Sequence, residues 1–376
     1  SSTPVNVADR LRDIAAQMPA AVAIACPGRG DVAGKNTYAT CTFAALDANA
    51  DALARGLMEI GVQPGDRLAL LVRPGIEFVT LVFALLRSGA TVVLIDPGMG
   101  IRRLLSCLAT LSADGFLGGP PVQLIRRLLG RRFASATKNV IVGPRWWPGT
   151  ATYDRLLDPA AIIFTSGSTG PPKGVLYTHQ MFETQAAEIS GQYELQPGGA
   201  DLSCFPLFGL FNSAMGVTTV FPEMDFSRPS TCNPRKLLEA ADDWRVTQAF
   251  ASPAVWDRVS LDCEKTGNRV PSLRKIFSCG APVPAVVLQR TLASVAPNAE
   301  MHTPYGATES LPVATIAADE VLEETRAATD DGAGVCVGRK FATIQWRVIP
   351  ISDDPIPTLA EAESLPCGEI GELIAE

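Results

Sequence analysis

Between residues 165 and 174 the chain reads Thr165-Ser166-Gly167-Ser168-Thr169-Gly170-Pro171-Pro172-Lys173-Gly174, with four hydroxyls, three glycines and one lysine in ten positions. Glycine lets the backbone approach an anion closely and leaves N–H groups free to point at it. The hydroxyls donate further hydrogen bonds, and the lysine adds positive charge. This is chemistry suited to a polyphosphate. A Ser/Gly linker fits poorly, because Ile162-Ile163-Phe164 precedes the loop and Val175-Leu176-Tyr177 follows it, and linkers rarely lie between two apolar runs. A Walker A loop needs Gly before its Lys and Ser or Thr after it, whereas Pro172 and Gly174 flank Lys173. The loop also leads into a β run and not a helix, so no helix N-terminus holds the phosphate, and ordinary kinase or NTPase chemistry is disfavoured.

The elements that must position this loop can be read from hydrophobic periodicity. Leu46, Ala50, Leu53, Leu57 and Ile60 recur at helical spacing, with Gly61 as a C-cap. Residues 67–72 read as a strand, 77–88 as a helix and 91–95 as a second buried strand, a βαβ unit that implies a parallel sheet. Residues 139–142 and 161–165 add short β runs. A second alternation follows: strand 246–251, helix 254–261, strand 274–279, helix 283–295, and a run at 300–305 that leads into a loop. After about residue 335 the pattern becomes strand-only, at 344–349 and 369–374, which predicts a β-barrel-like third part. The expected fold is α/β, with two βαβ-type sheets packed with helices plus the barrel-like subdomain, divided roughly as 1–180, 181–330 and 331–376. Residues 114–160 resist placement; Gly118-Gly119-Pro120-Pro121 and Pro148-Gly149 mark loops there.

Bulk properties narrow the class. A chain of 376 residues exceeds one ordinary core. Its 47% hydrophobic and 19% charged residues, with 32 Gly and 29 Pro, describe a loop-rich α/β protein and not a disordered one. A net charge of -7 without a long basic run argues against nucleic acid as the main partner. The nine cysteines are odd in number, irregularly spaced and lack a C-x-x-C, which fits reduced thiols in a cytoplasmic protein better than a disulfide framework or a zinc site. Asp9, Arg10, Arg12 and Asp13 stand where a signal peptide would be apolar. The most apolar stretch, 76–95, contains Glu77 and Arg87 and is too interrupted to span a membrane.

At Thr165 to Gly174 the sequence resembles the adenylate-forming superfamily of acyl-CoA synthetases, luciferases and peptide-synthetase adenylation domains, whose phosphate-loop signature it matches. Ser278-Cys279-Gly280-Ala281-Pro282 looks like the superfamily's adenine-binding strand end, and Tyr305-Gly306-Ala307-Thr308-Glu309 like its Y-G-x-T-E motif. The three stand in the superfamily's order, and the resemblance covers essentially the whole chain. Gly334 to Arg339 and Gly368 to Leu373 agree more weakly. The resemblance implies the large N-terminal domain of these enzymes, with ATP and Mg²⁺ as cofactors. Thr165, Ser166, Gly167, Ser168, Thr169, Gly170 and Lys173 would cradle the phosphates. Tyr305 would stack on adenine with Gly280, Ala281 and Pro282 nearby and Gly306 and Ala307 beside it. Thr308 would contact the α-phosphate, and Glu309 would hold Mg²⁺ with the Thr165 hydroxyl, since this ion prefers oxygen ligands shared with substrate phosphates. The superfamily continues beyond Glu372-Leu373 with a ribose-binding Asp, a hinge and a small C-terminal domain carrying a catalytic Lys. None of these is visible here, so this stretch is expected to bind nucleotide but to adenylate poorly alone.

A narrower resemblance is to the β-lactone synthetases of bacterial long-chain olefin biosynthesis. It rests on His302-Thr303-Pro304, Ser310-Leu311-Pro312-Val313-Ala314, Phe205-Pro206-Leu207-Phe208-Gly209-Leu210-Phe211 and Pro222-Glu223-Met224-Asp225. Many acyl-CoA synthetases place His near the substrate carboxylate, where Gly209 stands here. The resemblance implies that a 2-alkyl-3-hydroxy fatty acid is adenylated and closed by its own 3-hydroxyl, with other enzymes of the pathway as partners. His302, one of two histidines, is a candidate base for that hydroxyl, a structural histidine of the loop being the alternative. His179 is expected to cap the next helix or pack on the phosphate loop. Phe205, Phe208, Phe211 and Met215 line either an acyl tunnel or ordinary core. Two rival functions stay open. One is a fatty acyl-CoA or acyl-carrier ligase. The other is a catalytically silent nucleotide-binding assembly subunit, against which the intact Lys173, Thr308 and Glu309 argue.

Overall fold

The computed structural model describes residues 6–28, 36–142, 159–165, 173–352, 356, 358 and 361–375. The chain opens with a helix, Val7–Gln17, whose first turn is capped by the Asn6 side chain accepting from the Ala8 amide at 2.9 Å. Strands β1 (Val22–Pro27) and β2 (Tyr38–Thr42) pair antiparallel. Thr42 then caps the predicted helix, Phe43–Glu59, which buries Leu46, Ala50 and Leu57 and ends before Gly61 at a φ of 90°.

Strands β3 (Arg67–Leu71), β4 (Thr91–Ile95), β5 (Gly115–Gly118), β6 (Val140–Ile141), β7 (Ala161–Thr165) and β8 (Lys173–Tyr177) form a six-stranded sheet in the order β6-β5-β3-β4-β7-β8. All neighbours are parallel except β7 and β8. The expected βαβ unit is β3, the helix Ile76–Arg87 and β4. That helix is buried along nearly its whole length. Its Arg87 is fully buried yet paired, reaching Asp51 at 2.7 Å and Asp47, both on the helix Phe43–Glu59. In the stretch that resisted placement, Pro120 and Pro121 open a helix, Pro120–Leu128, instead of a loop, because the first helical turn tolerates proline.

Strands β9 (Ala200–Ser203), β10 (Thr218–Val220), β11 (Gln248–Phe250), β12 (Lys275–Phe277), β13 (Glu300–Ala307), β14 (Ser310–Ala317) and β15 (Arg339–Lys340) join β1 and β2 in a nine-stranded sheet. Its order is β15-β14-β13-β12-β11-β9-β10-β1-β2, so the first strands of the chain complete the second sheet. Where the strand-only pattern predicted a barrel-like part, the described residues give an open antiparallel ribbon, β16 (Trp346–Ile349) with β17 (Glu372–Ala375). β15 pairs with β14 at the edge of the large sheet. All nine cysteines are free thiols. Among the described residues no helix is long and apolar enough to cross a membrane.

Candidate active site

Strands β7 and β8 run antiparallel with Thr165 opposite Lys173, so the two ends of the Gly-rich loop are neighbours. Lys173 is exposed at the loop's exit, and the loop leads into a strand as expected. Ser166, Gly167, Ser168, Thr169 and Gly170, and the side chain of Thr165, lie outside the described residues.

The Y-G-x-T-E segment is not the loop expected from its sequence. It is the end of β13 and the tip of a hairpin. Tyr305 pairs with Ala314 and Ala307 with Ser310, leaving Thr308 and Glu309 alone at the turn. The register shifts between Tyr305 and Ala307, and Gly306 sits in that irregularity. A Cβ on Gly306 would stand 2.6 Å from the Ser310 carbonyl oxygen, so only glycine lets the two strands approach. Tyr305 is left 41% exposed, with its ring available for stacking.

Two side chains bind this hairpin to the rest of the site. The Tyr177 hydroxyl, at the end of β8, donates to the Thr308 carbonyl at 2.5 Å. Gln185 Nε2 donates to the Leu311 carbonyl at 2.8 Å. Burial, aided by the Glu309 carboxylate, pushes the Tyr177 phenol up, so it stays a donor near neutrality. Gln185 lies on the helix His179–Gln192, which Thr178 caps by accepting from the Met181 amide at 3.1 Å. The cap is therefore Thr178 and not His179, which is the first helical residue and is buried.

Gly280, Ala281 and Pro282 emerge, exposed, just beyond β12. Gly280 has a φ of 92°, a conformation that favours glycine. Strand β12 lies parallel to β13, with Phe277 opposite His302, so these residues and Tyr305 leave the sheet from the same ends of adjacent strands. Ligand crevices form at such ends of α/β sheets.

The structure does not bring His302 to the hairpin tip. Successive strand residues face opposite ways, so His302 and Tyr305, three apart, lie on opposite faces of β13. The imidazole packs on Tyr193 at 5.0 Å and on Phe277 at 6.1 Å between ring centroids, and its Nε2 lies 3.2 Å from Glu300 Oε2. Burial is the main cause of its lowered pKa, which outweighs the attraction of Glu300.

A small cavity of about 40 Å³ lies on this same face. Tyr193, Phe208, Met215, Phe250, Pro304 and Leu311 line it. Pro304 and Leu311 belong to the hairpin, so the cavity adjoins the strands that carry Tyr305 and Thr308. Phe208 stacks on Phe250 with ring centroids 3.7 Å apart. Of the four tunnel candidates, Phe208 and Met215 line this cavity, Phe211 faces away from it, and Phe205 is 43% exposed. Asp201 stands in its wall, buried, accepting from Ser203 Oγ and from Asn212 Nδ2 at 2.8 Å. Burial pushes its carboxyl up to about 6. Sequence reading passed over Asp201, Tyr193 and Gln185; an acid beside the apolar Leu202 in a strand was the one available signal. Among the described residues no three His, Cys, Asp or Glu side chains converge as a metal cluster.

A Gly-rich loop between two strands, a hairpin presenting Tyr305, Thr308 and Glu309, and a glycine turn at the end of the neighbouring strand define a nucleotide-dependent enzyme. Residues 11–376 match the family of AMP-binding enzymes, and the chain belongs to that family. It is 43% identical over 389 aligned positions to the olefin beta-lactone synthetase of Xanthomonas campestris pv. campestris, spanning 99% of this chain and 69% of that protein. It is 41% identical to the olefin beta-lactone synthetase of Stenotrophomonas maltophilia, over 98% of this chain and 69% of that one. The fold is similar to that of a long-chain fatty-acid-CoA ligase from Archaeoglobus fulgidus, with a TM-score of 0.79 at 20% identity over all of this chain and 75% of the other. The family and these relatives make the protein an AMP-forming, ligase-type enzyme.

Proposed function

We propose that this enzyme activates the carboxylate of a 2-alkyl-3-hydroxy fatty acid with ATP and closes the product to a β-lactone. The observation that carries the reading is the identity, over nearly the whole chain, to two proteins named olefin beta-lactone synthetase. The apolar cavity beside the hairpin supports a fatty acid as the acyl partner. Gly209 supports the absence of a histidine at the place where many acyl-CoA synthetases carry one. A Cβ at 209 would stand 2.9 Å from Phe221 Cζ and 3.1 Å from Thr219 Cγ2, and Phe221 is itself buried. No imidazole fits there without displacing that ring.

The chemistry proceeds in two displacements. A carboxylate oxygen attacks the α-phosphorus and pyrophosphate leaves. Lys173 and the loop hydroxyls would hold the phosphates, and Thr308 would meet the α-phosphate, where negative charge grows. The substrate's own 3-hydroxyl then attacks the acyl carbon, the bond to AMP breaks, and the proton passes to the departing phosphate. No second substrate has to be bound, because the nucleophile is already held in the same molecule. One carboxylate with phosphate oxygens is a donor set that Mg²⁺ accepts, so Glu309 would hold the ion, which would neutralise charge on the leaving pyrophosphate. The strained lactone would pass to a further enzyme of the same pathway.

Mass spectrometry of the products tests this. Full-length protein, ATP, Mg²⁺ and a 2-alkyl-3-hydroxy acid should yield a product lighter than the acid by one water, in step with AMP and indifferent to added CoA. A thioester formed in step with AMP would make the protein an acyl-CoA ligase instead.

A further inference from the structure

The helix Pro120–Leu128 is turned inside out. A surface helix ordinarily buries an apolar stripe and shows its polar face to solvent. Here the buried side chain is Gln123, whose Nε2 donates to the Phe116 carbonyl at 3.1 Å and to the Val140 carbonyl at 2.9 Å. Those two bonds fasten the helix to β5 and β6. Leu124 and Leu128, four positions apart and so on one face, are 58% and 76% exposed, and Ile125 beside them is 39% exposed. Beyond the helix the segment is anchored again, by Phe133, which is buried edge-on against Phe116 with ring centroids 5.1 Å apart. The leucines therefore point outward from an element fixed at both ends.

Charge is segregated to the same place. The chain has a net charge of -7, yet residues 97–142 hold seven of its 32 Lys and Arg and one of its 39 Asp and Glu. That acid, Asp114, accepts from the Arg67 amide at 2.8 Å. Arg127 follows Leu124 by three positions and so borders the leucines. A short helical turn, Gly130–Phe133, continues the segment with Arg131 and Arg132. All three arginines are exposed, and among the described residues none has an ion-pair partner.

A positive patch in an acidic chain selects an anionic partner. The exposed leucines narrow the choice. They need an apolar layer to enter, while arginines on long stems reach a charged layer above it. A lipid headgroup region over its acyl chains is layered in that way, whereas a nucleic-acid backbone gives the leucines nothing apolar to meet. We propose that residues 120–133 form an interfacial face that docks the enzyme on an anionic lipid bilayer. Leu124, Ile125 and Leu128 would sit at the acyl boundary and Arg127, Arg131 and Arg132 at the phosphates. The proposal holds whether the product is a lactone or a thioester.

The test is co-sedimentation of full-length protein with vesicles, of phosphatidylglycerol in one series and of phosphatidylcholine in the other. Wild type should partition onto the anionic vesicles about tenfold or more better than onto the neutral ones, and added salt should release it. Leu124→Ser with Leu128→Ser, and separately Arg127→Gln with Arg131→Gln, should each lower that partition by about tenfold, with pyrophosphate exchange in vesicle-free solution unchanged. Both pairs are exposed, so the melting temperature should hold. Arg127→Lys with Arg131→Lys keeps the charge and should bind as wild type does. No vesicle binding by wild type, equal binding to both kinds of vesicle, or serine and glutamine variants that bind as wild type does, overturns the proposal. Binding to duplex DNA without binding to vesicles also overturns it and makes this a nucleic-acid face. Self-association that the leucine variant loses, again without vesicle binding, overturns it in favour of a contact between copies of the chain.

Discussion

Glu309 is the one carboxylate at the hairpin tip, and its charge already acts on the Tyr177 phenol. Glu309→Gln keeps the shape of the turn and removes the charge. The Mg²⁺ concentration for half-maximal pyrophosphate exchange should then rise by about tenfold or more, the scale on which a single group near a metal changes its affinity, with the melting temperature unchanged. An unaltered Mg²⁺ dependence would take Glu309 out of the metal site. His302 is a different case. Sequence proximity to Tyr305 made it a candidate base, but the pleat sends it to the other face, among Tyr193, Phe277 and Glu300. It supports the cavity wall, so His302→Ala should slow adenylation and lactone release by the same factor. Persistent pyrophosphate exchange with stalled lactone release would restore it as the base.

At the scale of elements, the buried network of Asp201, Ser203 and Asn212 joins β9 to the helix Phe208–Met215, and so holds one wall of the cavity beside the hairpin. The fold favours the protonated carboxyl, raising its pKa from 3.8 to about 6. The folded state then binds more protons than the unfolded one between those values. The stability this group leaves intact below about pH 4 is lost as pH rises through about 6. At about 1.4 kcal/mol for each pKa unit, the loss is about 3 kcal/mol. Asp201→Asn cannot ionise, so its stability relative to wild type should improve by about that amount between pH 4 and pH 7. Parallel melting curves across that range would show that Asp201 does not titrate as argued. Elements were legible where periodicity was clean. The helix Phe43–Glu59 and the unit β3, Ile76–Arg87 and β4 fell where their apolar spacing placed them. The hairpin β13–β14 was not legible, because Gly306 and Pro312 are residues that argue against strand interiors. Only the close approach at Ser310 explains the glycine. The cavity was hidden for another reason: its walls come from elements far apart in sequence, and no local pattern records which helix face meets which sheet.

For the whole molecule, the segments proposed to hold the nucleotide belong to two different sheets. The Gly-rich loop joins β7 to β8 of the six-stranded sheet, while Tyr305, Thr308, Glu309 and the Gly280 turn belong to the nine-stranded one. If ATP is held by both, as proposed, the sheets have to be held in register with each other. Tyr177 does this at the site itself, reaching from β8 to the Thr308 carbonyl. The phenol is buried and remains protonated, so the bond persists across the neutral range. Tyr177→Phe removes only the hydroxyl and leaves the stack on Phe182 in place. A neutral hydrogen bond contributes about 0.5–1.5 kcal/mol. If that energy positions Thr308 for the transition state, pyrophosphate exchange should fall roughly threefold to tenfold. If the bond only stabilises the fold, the melting temperature should fall while exchange at low temperature stays as in wild type. A double-mutant cycle with Thr308→Ala separates the cases. Positioning through Thr308 predicts that Tyr177→Phe has little further effect once the threonine side chain is gone, whereas additive losses would mean that Tyr177 and Thr308 act independently and that the sheets are aligned by other contacts.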